Sequence, residues 1–355
     1  MQRLKNYSLL HDNTFGIDQR CEEYIVYSNA TEAADVAREL HAGDKPFLLL
    51  GGGSNLLLTK DFQGRVVTPE KRFDISVILQ QGSNEPALRC WAGTTFDDVV
   101  DYAVRHGYHG LENLSLIPGE CGASAVQNIG AYGAEIKDVI TTIEAVEIAT
   151  GRVVTIHAQD CGYAYRESRF KHEWKNRYLI TYVTYQLSRK FHPELDYGNV
   201  RKQLEENGIS EASLTGQQLR DTIIGIRQAK LPDPAITGNA GSFFMNPIVD
   251  EATFKRLKAE HPDLRYFEVK ADEANIPHES SDHALYYKIP AGWMIDKCGW
   301  KGKQLGRAGV HDKQALILVN KGGATGQEIV DLMQAIQKDV KKNFGLEIRP
   351  EVNII

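Results

Sequence analysis

The chain has 355 residues, 42% hydrophobic and 25% charged, the balance of an ordinary globular protein with material for about two or three domains. A formal charge of -6 argues against a general nucleic-acid binder, whose surface would be basic, and no run of about 18 apolar residues offers a membrane span. With no apolar signal core at the start and five scattered cysteines lacking a CxxC pair, the expected setting is the cytoplasm, without disulfides or a metal site.

Ala33, Ala34, Val36, Ala37 and Leu40 fall at helical spacing, which predicts a helix over Thr31–His41 with Thr31 as N-cap and Gly43 as its stop. The apolar run 47–50 enters Gly51-Gly52-Gly53-Ser54-Asn55 and leaves through 56–58, so the glycines join two strands. A dinucleotide fingerprint would open a helix here. Instead, three consecutive residues without Cβ offer N–H groups for an anion nest, with Ser54 and Asn55 as side-chain donors. The competing reading is a tight hairpin. Thr95–His106 reads as a helix with Phe96, Val99, Val100 and Ala103 on its inner face, ended by Gly107. Residues 110–133, rich in Gly, Ser, Gln and Asn, read as an irregular segment along which a ligand can lie, and with the loop at 51–55 they suit a pyrophosphate-containing cofactor. A hairpin is predicted from Ile143–Ala149 through Thr150-Gly151 to Arg152–Ile156, and a strand over Tyr178–Leu187. Between them, Arg166 and Arg169 form a positive pair among aromatics, suited to a carboxylate or phosphate, against the plainer reading of surface arginines pairing with Glu167.

Thr215 caps a helix that reaches Lys230, with Gln218 at the capping-box position. Lys230-Leu-Pro232-Asp-Pro234 then introduces Thr237-Gly238-Asn-Ala-Gly241-Ser242, where prolines and glycines fix a turn that presents one hydroxyl as an apolar strand begins. Ser242 is either a site residue or a cap for a backbone group. Beyond Asn246 the composition turns charged, with a helix over Glu251–Lys258 and a loop over Pro277–His283. A strand over Ala315–Asn320 precedes the closing helix, whose Thr325 and Glu328 form a capping box and whose end is Gly345. Alternation from Leu346 to Asn353 predicts an edge strand carrying Glu351, its carboxylate either on a solvated rim or turned into a cleft.

Six motifs occur in the order in which the UDP-N-acetylenolpyruvoylglucosamine reductase (MurB) family carries them. They are Gly51-Gly-Gly-Ser-Asn55; Ile117-Pro-Gly-x-x-Gly122 with Gln127-Asn-Ile-Gly-Ala-Tyr-Gly133; Tyr165-Arg166-x-Ser168; Gly238-Asn-Ala-Gly-Ser242-Phe-Phe-x-Asn-Pro247; Ala291-Gly-Trp293; and Pro350-Glu351-Val352. The chain resembles that family over nearly its whole length, and Phe191-His-Pro-Glu-Leu-Asp-Tyr197-Gly198 resembles the extra tyrosine-bearing loop of one of its two structural types. The resemblance implies an α+β protein: an FAD-binding fold of the vanillyl-alcohol-oxidase type in two subdomains, residues 1–70 with the C-terminal strand 344–355 and residues 71–226, plus a smaller α+β substrate domain over 227–343. It implies FAD held by Gly51, Gly52, Gly53, Ser54, Asn55, Gly119, Gly122, Ser124, Gln127, Asn128 and Gly130. NADPH is the implied hydride source. The implied reaction reduces UDP-N-acetylglucosamine enolpyruvate to UDP-N-acetylmuramate for peptidoglycan synthesis, in a cytoplasmic monomer.

Arg166 and Glu351 match the family's stabilising pair, Ser242 matches its proton donor to C2, and Tyr197, Lys230, Asn246 and Tyr266 match its substrate contacts. The sequence departs from the pattern at Glu120 and Cys121, where many relatives have Ser-Val, and at Ala125-Val126, where a proline usually precedes Gln127. A carboxylate beside a pyrophosphate repels it unless it points away, so Glu120 is kept out of the cofactor set. Two other readings stay open: a flavin oxidase of the same superfamily acting on an alcohol or sugar lactone, and a UDP-sugar sensor without flavin.

Overall fold

The computed structural model describes residues 1–79, 84–269 and 285–355. Its chain divides into two units: Met1–Tyr7 with Cys21–Gly52 and Gln63–Ala229, and Ser8–Arg20 with Gly53–Phe62 and Lys230–Ile355.

Two sheets build the first unit. In the four-stranded sheet the order is Gln2–Ser8, Arg20–Tyr27, Phe62–Pro69, Phe47–Leu49, the last two parallel with Leu48 opposite Val66. The five-stranded antiparallel sheet runs Val153–His157, Ile140–Glu147, Tyr178–Gln186, Pro86–Trp91, Ile75–Leu79. The expected hairpin is present, with Ile143 opposite Ile156 across the Thr150-Gly151 turn. Helix Phe96–Arg105 buries Phe96, Val99, Val100 and Ala103 in one core with Leu88, Ile143 and Val183.

The first helix starts earlier than expected, at Ala30. Asn29 rather than Thr31 caps it, accepting from the Glu32 N–H at 2.9 Å, while the Glu32 carboxylate accepts the Ser28 N–H at 2.8 Å. The cap of helix Gly216–Lys230 is as expected: Thr215 N–H donates to Gln218 Oε1 at 3.0 Å and Gln218 N–H to Thr215 Oγ1 at 3.2 Å. Residues 110–133 are more regular than their composition suggests, because Cys121–Gln127 is a helix. A Cβ on Gly122 would lie 3.0 Å from the Cβ of Ala92. The small residues that read as loop are what let this helix seat against the end of strand Pro86–Trp91.

The second unit has one core, in which Phe243, Phe244, Ile295, Val310, Leu318, Ile329 and Ile336 are all buried. Its closing helix, Gly326–Phe344, has the predicted Thr325–Glu328 capping box and ends at Gly345 with φ 69°. Helix Glu251–Glu260 is also as expected, its first turn closed by Asp250 accepting from the Thr253 N–H at 2.8 Å. Three expectations shorten. The strand predicted from Ala315 is regular only over Leu318–Asn320, since the Ile317 N–H turns back to the Gln314 carbonyl at 3.1 Å. No strand begins at Phe243, and Phe244 forms a single bridge, to Pro350. The C-terminal alternation holds in burial, with Ile348 and Val352 inside and Glu347, Arg349 and Asn353 outside, but regular pairing is confined to Asn353–Ile354 beside Leu56–Leu57. A helix the sequence reading missed, Ala291–Lys297, donates its first N–H to Asn246 Oδ1 at 2.9 Å. The loop predicted over Pro277–His283 lies outside the described residues. Among those described, no helix is long and apolar enough to cross a membrane, and all five cysteines are free thiols.

Candidate functional site

In the second unit, the loop 237–242 is held from three sides. Asn239, 1% exposed, fixes its shape: Nδ2 donates to the Thr237 carbonyl at 2.8 Å, Oδ1 accepts the Gly241 N–H at 2.9 Å, and its own N–H donates to the Thr14 carbonyl at 2.9 Å. Gly238 leaves no room for a side chain, since a Cβ would fall 2.2 Å from the Phe15 carbonyl oxygen. Gly241 takes φ 68°. The next N–H, of Phe243, donates to the Leu316 carbonyl at 2.8 Å. Ser242 is therefore presented on a braced turn. It is exposed and its hydroxyl makes no hydrogen bond among the described residues, which removes the backbone-capping reading.

The C-terminal segment arrives beside it. Met245 N–H donates to the Arg349 carbonyl at 2.9 Å and Glu351 N–H to the Phe243 carbonyl at 2.8 Å, an antiparallel pairing that sets Glu351 next to the Ser242 turn. Asn55 closes the same corner: its Nδ2 reaches the Glu351 carbonyl at 3.4 Å, and its carbonyl accepts the Asn353 N–H at 3.1 Å. Gly53, with φ 64°, has its Cβ direction blocked 2.0 Å away by the Asp12 carbonyl oxygen. Asn246 spends its Oδ1 on Ala291. Lys230 ends its helix, exposed, with His311 near its backbone. Burial holds that imidazole below its usual value. Tyr266 packs on an aromatic cluster, its ring 4.6 Å from that of Phe254 and 5.8 Å from that of Tyr287.

A second group of expected residues lies in the first unit. Arg166 occupies a turn, φ 56°, closed by reciprocal backbone hydrogen bonds between Ala164 and Glu167. Two side chains tie that turn to helix Cys121–Gln127: Ser168 Oγ donates to the Val126 carbonyl at 2.6 Å, and Asn128 Nδ2 to the Ala164 carbonyl at 2.7 Å. Asn128 thus positions Arg166 and has its amide spent internally, with Oδ1 accepting from the Lys137 N–H at 3.2 Å. The guanidinium lies over Gly130, donating to its carbonyl at 2.5 Å, and a Cβ there would meet Arg166 Nη1 at 2.7 Å. The expected pairing partner, Glu167, instead binds His172 at 2.5 Å, while Arg169 pairs with Glu173 at 3.1 Å. Beyond Gly130 the chain makes a two-residue hairpin turn at Tyr132 and Gly133, both at positive φ (47° and 90°), as a type I′ turn requires. Tyr197 packs there, its Cβ 3.2 Å from where a Gly133 Cβ would stand.

The glycine-rich segments of the first unit meet. A Cβ on Gly52 would lie 3.2 Å from the Gly119 Cα, and one on Gly51 3.1 Å from the Ala123 Cβ. Gly51 and Gly52 N–H groups donate no hydrogen bond among the described residues. The second segment is less open than expected, because the Cys121 and Gly122 N–H groups are taken by the carbonyls of Thr94 and Ala92 at 3.0 and 2.9 Å. Ser124 is likewise committed, its Oγ 2.8 Å from the Tyr185 hydroxyl. Beneath lies a largely apolar pocket of about 150 Å³ walled by Leu49, Gly51, Val67, Ala123, Leu179 and Gln127. Glu120, 5% exposed, lines it rather than pointing away. Burial, reinforced by this carboxylate, pushes the Tyr27 hydroxyl far above its ordinary value.

Residues 22–157 match the FAD binding domain and residues 233–355 the C-terminal domain of UDP-N-acetylenolpyruvoylglucosamine reductase. The class is thus that of FAD-dependent oxidoreductases. A UDP-N-acetylenolpyruvoylglucosamine reductase from Bacteroides fragilis is 45% identical over 99% of both chains, and one from Burkholderia ambifaria is 41% identical over 98% of this chain and 95% of its own. The chain belongs to the UDP-N-acetylenolpyruvoylglucosamine reductase family. Its α+β fold is similar to the crystal structure of the Thermus caldophilus reductase (TM-score 0.64, 20% identity, 99% and 98% covered). It is also similar to a solvent-stable cholesterol oxidase (TM-score 0.50, 12% identity, 99% and 86% covered). These likenesses agree with the FAD-binding fold expected from the motifs.

Proposed function

We propose that the protein reduces UDP-N-acetylglucosamine enolpyruvate to UDP-N-acetylmuramate, with FAD as carrier and NADPH as reductant, as a cytoplasmic monomer in peptidoglycan precursor synthesis. One observation carries the reading: identity of 45% along essentially the whole chain with a reductase of that name. Bound FAD would supply hydride, received from NADPH, to C3 of the enolpyruvyl group. The residues proposed to hold it are Gly51, Gly52, Gly53, Ser54, Asn55, Gly119, Gly122, Ser124, Gln127, Asn128 and Gly130, in the parts 1–70 with 344–355 and 71–226. The sugar nucleotide would belong to 227–343.

The fit rests on the Gly51 and Gly52 amides, donors without internal partners among the described residues, and on the apolar pocket beside them. At about 150 Å³ it is well under the roughly 300–1,000 Å³ of a whole small-molecule site, so it suits one ring system of the dinucleotide. Glu120 repels phosphate but accepts well from a hydroxyl or amino group, which leaves the glycine amides to the pyrophosphate. Ser124 and Asn128, whose side chains are engaged elsewhere, would contribute through backbone.

In this reading Arg166 and Glu351 stabilise the charge that develops on the enolpyruvyl group and Ser242 gives a proton to C2, with Tyr197, Lys230, Asn246 and Tyr266 contacting the UDP-sugar. Support for Arg166 as the planar cation comes from its strained, doubly tied turn. Gly130→Ala should therefore lower kcat at least about tenfold, because the new Cβ would stand 2.7 Å from Arg166 Nη1; since it would also stand 2.8 Å from the Ala134 carbonyl oxygen and 2.9 Å from Glu135 Cγ, Tm should fall as the hairpin shifts. Unchanged kcat would show that Gly130 does not position Arg166. The function itself is tested by anaerobic titration. NADPH should bleach the flavin and the enolpyruvyl sugar should restore its colour. Restoration by oxygen alone, with an alcohol as reductant, would favour the oxidase reading, and a purified protein that takes up no flavin would favour the sensor.

A further inference from the structure

Arg166 needs more than its turn to act as a fixed planar cation. A guanidinium at the end of a flexible stem stabilises developing charge only if its plane is set before the charge arrives. One anchor is the Gly130 carbonyl, which accepts from Nη2 at 2.5 Å. The other is Glu135, whose Oε1 stands 3.7 Å from Nη1, with the two side chains 18% and 20% exposed. That separation is beyond hydrogen-bond reach, so the carboxylate acts by charge, in a setting less screened than the open surface. Anchors on two different nitrogens fix the plane, where either alone leaves it free to rotate.

Glu135 is itself immobilised. Its N–H donates to Asp138 Oδ2 at 2.9 Å and its side chain accepts the Asp138 N–H, a capping box around the turn Ile136–Asp138. Oε2 accepts from Asn128 Nδ2 at 3.1 Å and pairs with Lys137 Nζ at 3.1 Å. The same Asn128 amide donates to the Ala164 carbonyl at 2.7 Å, so one side chain ties the carboxylate to the turn that carries Arg166. Lys171 Nζ braces that turn again, at 2.6 Å from the Arg166 carbonyl. Capping requires an acceptor and no charge, whereas holding a guanidinium at 3.7 Å requires the charge. A neutral side chain of the same shape therefore separates the two roles.

We propose that Glu135 is a positioning residue for sugar reduction, its charge holding the Arg166 guanidinium in the plane that meets the enolpyruvyl group. The proposal rests on the reductase reading, in which Arg166 stabilises the charge that develops on that group. The test is stopped-flow absorbance of both half-reactions in Glu135→Gln and Glu135→Asp holoproteins, with Tm measured on the same samples. In Glu135→Gln, reoxidation at saturating enolpyruvyl sugar should slow about tenfold or more, as a loosened cation requires. The sugar concentration giving half the maximal rate should hold or fall, because a negative charge beside an anion-binding cation has gone. Flavin bleaching by NADPH, which develops no charge on an enolpyruvyl group, should change less than about threefold. Glu135→Asp keeps the charge, set back by one methylene, and should recover part of the reoxidation rate. A capping role alone gives the opposite order, with the short aspartate worse than glutamine and both half-reactions falling together with Tm. That order overturns the proposal, as does reoxidation of Glu135→Gln at the wild-type rate, whatever its Tm. If the glutamine variant does not fold, Glu135→Asp decides: slowed reoxidation with normal bleaching supports the proposal, and a wild-type rate or an equal loss in both half-reactions overturns it. A wild-type holoprotein whose bleached flavin the enolpyruvyl sugar does not reoxidise overturns the reductase reading, whereas normal wild-type turnover with an indifferent Glu135→Gln overturns the positioning role alone.

Discussion

With Ser242 replaced by alanine, NADPH should still bleach the flavin at close to the wild-type rate, while reoxidation by the enolpyruvyl sugar should fall by ~10²–10⁴, the usual cost of a lost general acid. The two half-reactions separate because only the second needs a proton at C2. Unfolding cannot account for the loss: the side chain is exposed and makes no hydrogen bond among the described residues, so the change in stability should stay within about 0.5 kcal/mol. A hydroxyl is a poor acid in water, and its donation depends on the strongly basic carbon that develops at C2. Ser242→Cys, with a thiol of ordinary pKa about 8.5 and nearly the same shape, should therefore recover part of the rate. Stopped-flow absorbance of each half-reaction is the measurement. Reoxidation of the alanine variant at the wild-type rate would reduce Ser242 to a turn residue and move proton donation to Lys230 or to water.

Glu351→Gln should slow the same second half-reaction by ~10²–10³, the size reported by removing one preorganised electrostatic group from a reaction centre. The amide has the volume of the acid, and the contact that places residue 351, its N–H on the Phe243 carbonyl at 2.8 Å, is made by backbone and survives the change. Far-UV circular dichroism and flavin reduction by NADPH should thus match wild type. Normal turnover would return Glu351 to a solvated strand rim. Arg349, exposed two residues before it along the segment, serves as a control whose neutral substitution should leave the rate near wild type.

Local chemistry was legible in the sequence by itself. The capping pairs Thr215–Gln218 and Thr325–Glu328, the Thr150-Gly151 hairpin and the stop at Gly345 each depend on residues a few positions apart, and each is found where spacing placed it. The family, and with it the roles expected of Arg166, Ser242 and Glu351, was legible because short motifs keep residue type and order. What the tertiary structure alone decided is long-range. The glycines at 51–53 do not turn a hairpin, because Phe47–Leu49 and Leu56–Leu57 find parallel partners in different sheets, one of them the last residues of the chain. The segment 121–127 looks like loop by composition but is helical, and Gly122 is small because Ala92 packs against it. Ser242 and Glu351 meet only through the antiparallel pairing of Phe243 and Met245 with Glu351 and Arg349. Asn128 looks like a cofactor ligand until its amide is seen holding the Arg166 turn. Periodicity and caps are set by the energetics of neighbouring residues. Which remote backbone a strand pairs with depends on burial that only the folded chain defines.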